Sequence, residues 1–266
     1  MSVPSLVIAL ALALPLLWLI IRATQGGVEG LSVAWEPATI ALLRTTFLLV
    51  FAVTASTALI GTSFAFLTTR TDLPFRRILV VVTALPLVLP TFVGAYTLVA
   101  ALAPGGLVEE VLIGLGVENP SVPSPYGFRG AWLALTLFTY PYVLLTVRSA
   151  LRGLDPALEE ASLTLGHSQW ATFRRVTLPQ LRPSIAAGSL LVALYVLSDF
   201  GAVSLLRTST FTRAIYLQYQ AAFDRTPAAV LGLQLVIFTI AVLIVEAKVG
   251  GDRFGRLRAV RANVQR

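Results

Sequence analysis

Apolar positions along this chain come in long runs, with little of the alternation that marks strands. A helix needs about 20 mostly apolar residues to cross the hydrocarbon of a bilayer. Runs of that kind cover residues 3–21, 39–68, 78–102, 131–147, 184–206 and 228–245. They predict an all-α integral membrane protein with about six transmembrane helices. Pro37, Pro74, Pro104, Pro179 and Pro227 stand between the runs, where helices are expected to start or stop.

One polar segment, "LDPALEEASLTLGHSQWATFRRVTLP" between the fourth and fifth runs, is itself patterned as helices. Asp155 can cap a helix that Pro156 opens. Glu159 and Glu160 complement the positive end of its dipole. Gly166 can take the left-handed conformation that ends it. Ser168 then caps a second short helix over 169–176, with Trp170 and Phe173 on one face and Arg174 and Arg175 beside them. Leu178-Pro179 is expected to close that helix before the next span. The segment reads as helix, tight turn, helix. Two uses fit it: an interfacial pair lying in lipid headgroups, or a docking element for a soluble partner.

Composition agrees with the pattern. Of 266 residues, 56% are hydrophobic and only 12% charged, at a mean hydropathy of +0.83, against about a quarter charged in soluble domains. There is no cysteine and His167 is the only histidine, which excludes thiolate sites and a multi-histidine metal centre within one chain. The first run has no basic leader and is followed by Arg22, so it is expected to be a retained anchor and not a cleaved signal.

The net charge of +7 takes on meaning once the cations are placed. With six spans, one set of connections and the C-terminus carries fourteen of them, from Arg70 to Arg266; the other carries Arg22, Arg129, Arg207, Arg213 and Arg225, which makes five. Arg44 lies inside the second run, near its outer end, where it can snorkel. Positive charge marks the cytoplasmic side, so both termini and the patterned segment are expected there. Topology accounts for the basic balance, and nucleic acid is not needed as a partner.

The same segment resembles the permease subunits of bacterial ABC importers. Those carry E-A-A, three residues, G, nine residues and I-x-L-P. Here Glu160-Ala161-Ser162 is followed by three residues, Gly166, nine residues and Val176-Thr177-Leu178-Pro179. Ser162 replaces the second alanine and Val176 the isoleucine. The resemblance implies the transmembrane domain of a type I ABC importer, in which this segment is the coupling element seated on a separate ATPase. Glu160, Ala161, Ser162, Gly166, His167, Leu178 and Pro179 are then the residues implied in that contact. It implies a first helix and outer loop at 1–38, a transmembrane core at 39–247 with the coupling element at 155–179, and a basic tail at 248–266.

Further stretches, "RTDLPFRR", "LPLVLPTFVGAY", "SDFGAVSLL" and "FTRAIYLQYQAAFDR", resemble the ferric-iron branch, with polyamine, thiosulfate and molybdate permeases as neighbours. The resemblance implies a bacterial inner-membrane location and an extracytoplasmic binding protein that brings the cargo. A second six-span unit is also implied, either identical, paralogous or fused. Membrane lipid surrounds the assembly, and ATP and Mg lie on the partner ATPase, with no cofactor in this chain and no enzymatic activity of its own.

Three residues are candidates for the cargo path. Pro86 and Pro90, four apart on one face of the third run, remove two backbone donors, which fits either a break beside a watery cavity or a kinked packing helix. Asp199 is the one acid deep in a run. It either lines the path, caps a helix break at Ser198–Gly201, or pairs with Arg207. Tyr216, Tyr219 and Phe223 form an expected interfacial belt, or a surface for the binding protein. An ion-coupled secondary transporter would also use broken helices and buried acids, but it gives the patterned segment no role.

The charge argument makes a direct prediction. Impermeant labels should reach cysteines at Gly26 and Ser124 from outside the cell, and one at Asn263 only after permeabilisation. Cytoplasmic labelling at Ser124 would invert the topology.

Overall fold

The computed structural model describes residues 3–221 and 225–264. Thirteen α-helices, and no strand, occur among these residues: α1 (Val3–Gln25), α2 (Gly27–Ser32), α3 (Pro37–Arg70), α4 (Arg76–Ala84), α5 (Thr91–Leu102), α6 (Leu107–Gly114), α7 (Phe128–Gly153), α8 (Pro156–Thr164), α9 (Gln169–Thr172), α10 (Leu178–Ser198), α11 (Gly201–Leu205), α12 (Phe211–Ala221) and α13 (Thr226–Val264). Five stretches among the described residues are long and apolar enough to cross a membrane: Pro37–Arg70, Thr91–Gly114, Phe128–Gly153, Gln169–Ser198 and Thr226–Val245. Ala13–Gln25, within α1, is a shorter apolar helix.

Two expectations change. The third run is not one helix: α4 ends at Ala84, a 3-10 turn covers Leu85–Val88, and α5 begins at Thr91. Pro86 lies in the turn and Pro90 immediately precedes α5, so the two prolines interrupt the ladder and do not share a helix face. The fifth run breaks between α10 and α11, where a break was expected. Leu178-Pro179 closes nothing. Instead α9 passes through a π-helical turn at Phe173–Thr177 directly into α10. Proline lacks a donor and crowds the carbonyl four residues back; the wider π turn just before it gives that carbonyl room.

α7 is the centre of the bundle, with α3 and α10 packed against it. Val143 sits where the three meet. A Cβ at Gly61 of α3 would stand 2.8 Å from Val143 Cβ and from the Leu144 nitrogen, and one at Gly188 of α10 would stand 2.9 Å from Val143 Cα. Lipid tails give helices no hydrophobic reason to associate, so close packing at small residues supplies the attraction. Several threonines of these helices bond within their own helix: Thr139 donates to the Leu135 carbonyl, Thr146 to Tyr142, Thr68 to Phe64 and Thr57 to Thr54, while the hydroxyls of Thr54, Thr62, Thr69 and Thr136 are buried without a partner. Outside this core, α1 packs on α13, and Gln234 of α13 donates to the Ala34 carbonyl at 3.0 Å.

Gly61→Val should therefore lower stability by about 1–3 kcal/mol through overpacking. Gly114→Ala, where a Cβ meets nothing within 4 Å, should be neutral or slightly stabilising. Thermal unfolding of both variants in one detergent checks the contrast.

Candidate functional site

The patterned segment folds largely as its local chemistry dictates. Asp155 Oδ1 accepts from the Ala157 amide at 3.0 Å and opens α8. Gly166, at φ 86°, ends it: its amide bonds the Leu163 carbonyl at 2.9 Å and the His167 amide bonds the Ser162 carbonyl at 3.2 Å. These are the two bonds of a Schellman closure, and a side chain at position 166 would be strained in the left-handed conformation they require. Ser168 Oγ accepts from the Ala171 amide at 3.2 Å and opens α9.

The inner face of the segment is polar and fully engaged. Ser162 is buried, with its hydroxyl 2.9 Å from that of Thr172 and 3.3 Å from His167 Nδ1. It braces α8 against α9 and offers no surface to a partner, unlike its place in the expected contact. Glu159 is half-buried and faces the spans. Its Oε1 accepts from Thr177 Oγ1 at 2.9 Å and lies 3.4 Å from Arg70 Nη2 at the end of α3. Arg70 also donates to the Leu151 carbonyl of α7 at 3.3 Å. One carboxylate thus ties the segment to the ends of α3 and α7 and to the turn leading into α10. Sequence reasoning assigned Glu159 only to the helix dipole; its spacing of three from the inward Ser162 was the available signal.

The outer face is exposed and mixed. Glu160, Ala161, Gly166 and His167 are exposed, while Leu178 and Pro179 are half-buried near the membrane. Leu165 is 79% and Trp170 70% exposed. Trp170 stacks on Phe173 at 5.5 Å, and Phe173 packs on Phe66 of α3 at 4.5 Å. The apolar tip is therefore carried on a braced base.

A second polar site lies where the two broken runs meet. Asp199 is 8% exposed. Its Oδ1 accepts from the amides of Ala202 at 3.0 Å and Val203 at 3.2 Å, capping α11. Its Oδ2 accepts from Thr91 Oγ1, the first residue of α5, at 2.7 Å. Because the Thr91 proton is spent on Asp199, Tyr195 donates its hydroxyl to Thr91 Oγ1 at 3.0 Å. The Asp199 carbonyl accepts from Thr212 of α12 at 2.7 Å. Asp199 and Pro90 thus come together through Thr91, with Pro86 in the preceding turn. Arg207 is no partner of Asp199: its guanidinium lies over the Tyr126 ring at 4.7 Å. On α12, Tyr216 packs on Phe200 at 4.7 Å, and Tyr219 lies under Arg225 at 4.6 Å; Phe223 lies outside the described residues.

Residues 58–249 match the family model of the binding-protein-dependent transport system inner membrane component. The chain belongs to this family, the permeases of ABC importers. It is 35% identical over 92% of its length to the Fe(3+)-transport system permease protein FbpB 2 of Haemophilus influenzae. It covers 44% of that relative, so the chain spans less than half of the protein it matches there. It is 30% identical to the sulfate transport system permease protein CysT of Escherichia coli, over 94% of this chain and 91% of the relative. It is 32% identical to the Escherichia coli molybdenum transport system permease protein ModB, over 74% of this chain and 88% of the relative. The transmembrane chain of a bacterial ABC transporter involved in alginate import superposes with a TM-score of 0.69 at 18% identity, over 94% of this chain and 92% of that one. The fold of the permease is that of type I ABC importer transmembrane domains.

Two predictions follow from this geometry. Asp199→Asn should retain the cap and fold normally, because asparagine caps helices as well as aspartate. Asp199→Ala leaves three buried donors without their acceptor and should cost the permease about 2–4 kcal/mol in stability. Thermal unfolding and purification yield distinguish them. Glu159→Gln should lower stability by no more than about 1 kcal/mol, yet it should raise hydrogen exchange across α8, because the link to Arg70 and Thr177 is what holds α8 to the spans.

Proposed function

We propose that the chain is one permease unit of an ABC importer in the bacterial inner membrane, with both termini and the 155–179 element in the cytoplasm. The element docks a separate ATPase subunit, which binds ATP and Mg and performs the hydrolysis; this chain contributes no catalytic group. The unit pairs with a second six-span unit, and the two enclose a passage for cargo handed over by an extracytoplasmic binding protein. The observation that carries this reading is the apolar tip of Leu165 and Trp170, beside the exposed Glu160, on a base fixed to the spans by Glu159.

Such a base can transmit movement. A displacement of α8 and α9 on the ATPase reaches α10 through the continuous π turn and reaches α3 and α7 through Arg70. Rigid elements coupled in this way turn a small shift at one end into a rearrangement of spans. Asp199 holds the α5 and α11 ends together, beside the passage, and either lines it or keeps its wall in shape.

Ferric iron is the proposed cargo, supported by the 35% identity to the Haemophilus influenzae permease over nearly the whole chain. An oxyanion is the second reading, supported by the relatives from sulfate and molybdate systems. Deleting the gene and measuring uptake of radiolabelled ferric iron, sulfate and molybdate separates the two. Loss of iron uptake alone supports the first; loss of sulfate or molybdate uptake with normal iron uptake replaces it with the second.

Glu160→Lys reverses a charge at the proposed contact and should leave the spans folded. Recovery of the ATPase on the tagged permease should fall at least tenfold, with uptake lost in parallel. Wild-type recovery and uptake would refute the docking assignment.

A further inference from the structure

Four arginines converge at the membrane end that carries the coupling element. Arg76 and Arg77 open α4, and Arg148 and Arg152 lie one turn apart near the end of α7. With Val80 they line a cavity of about 340 Å³ in which no acidic side chain takes part. Arg76 donates to the Thr68 carbonyl at 2.6 Å and the Thr69 carbonyl at 3.0 Å, closing the end of α3. Among the described residues, the side chains of Arg77, Arg148 and Arg152 make no hydrogen bond or ion pair. Arg148 Nε is buried without an acceptor. The nearby acids do not help: Asp155 caps α8 and Glu159 holds Arg70 and Thr177, while Asp72 forms no ion pair.

Like charges gathered around a cavity repel, and a buried guanidinium donor without an acceptor is costly. Both are relieved by an anion with several oxygens. We propose that this cavity binds a phosphate-type oxyanion presented by an anionic phospholipid. Guanidinium forks match phosphate oxygens in pairs. The cavity lies at the ends of membrane-spanning elements, where headgroups lie, and basic pockets between helices at this level hold acidic headgroups. Beside Val80, α4 also exposes Ile78, Val81 and Val82, an apolar face along which an acyl chain can lie. A free ion would have no use for that face.

The test uses the full chain, purified in detergent and depleted of lipid. Phosphatidylglycerol, phosphatidylcholine, inorganic phosphate and sulfate are then added separately, with bound lipid counted by native mass spectrometry and stability followed by thermal unfolding. Phosphatidylglycerol should bind saturably and stabilise the protein, and phosphatidylcholine should not. Arg77 and Arg152 are exposed and make no hydrogen bond or ion pair, so Arg77→Gln and Arg152→Gln should fold. Each should weaken phosphatidylglycerol binding about fivefold, and the double variant about 25-fold, from the roughly constant contribution of each basic residue near a charged bilayer. Arg129→Gln, at the opposite end of α7, should change nothing. Undiminished phosphatidylglycerol binding by the double variant overturns the site. Equal stabilisation by inorganic phosphate or sulfate, lost in the same variants, overturns the lipid as its source.

Discussion

Inside hydrocarbon no water is available to pair a backbone amide, so every break in a helix must be closed by protein. The chain breaks two spans, and one carboxylate caps the second break and ties it to the first. Asp199 caps α11 with one oxygen and receives Thr91, the start of α5, on the other, while its own carbonyl receives Thr212 of α12. Three helices, α5, α11 and α12, thereby acquire a common anchor. The price is an ionisable group away from water, which is tolerated because both of its oxygens are hydrogen-bonded. α3, α7 and α13 are not broken in this way.

The opposite arrangement operates at the coupling element. There an acid, Glu159, lies at the edge of the membrane and joins the element to the ends of three spans, while the adjacent acid, Glu160, points outward. One helical step separates an acid bonded to the spans from an acid left exposed. The same division runs through the rest of the element: Ser162 and Thr172 brace it from within, and Leu165 and Trp170 are exposed on the tip proposed to dock. A flexible loop with the same outward residues would dock equally well but would move nothing.

What the sequence discloses here divides by distance along the chain. Asp155, Gly166 and Ser168 act on backbone groups within five residues, and each role was readable from residue type and spacing alone. The break at Asp199 was readable for the same reason, since its cap reaches only to Ala202 and Val203. Thr91 lies 108 residues from Asp199, and Arg70 far from Glu159; no local pattern marks such pairs, because packing of α3, α7 and α10 brings them together. Pro179 misled for a different reason. Proline ordinarily ends a helix, and only the π turn before it lets α9 continue into α10. Arg207 misled too: a buried acid near a cation invites pairing, but donors from the backbone and Thr91 already fill Asp199.

The central claim is that the exposed tip of a rigid element seats on an ATPase. The chain has no cysteine, so Leu165→Cys is a single-cysteine variant that places one reactive thiol on the tip. Membranes holding the assembled importer should yield a short cross-link from this thiol to the ATPase subunit, and purified complex should protect it from maleimide. A thiol that labels at its full solvent rate and gives no cross-link, in a complex that still retains its ATPase, would contradict the account.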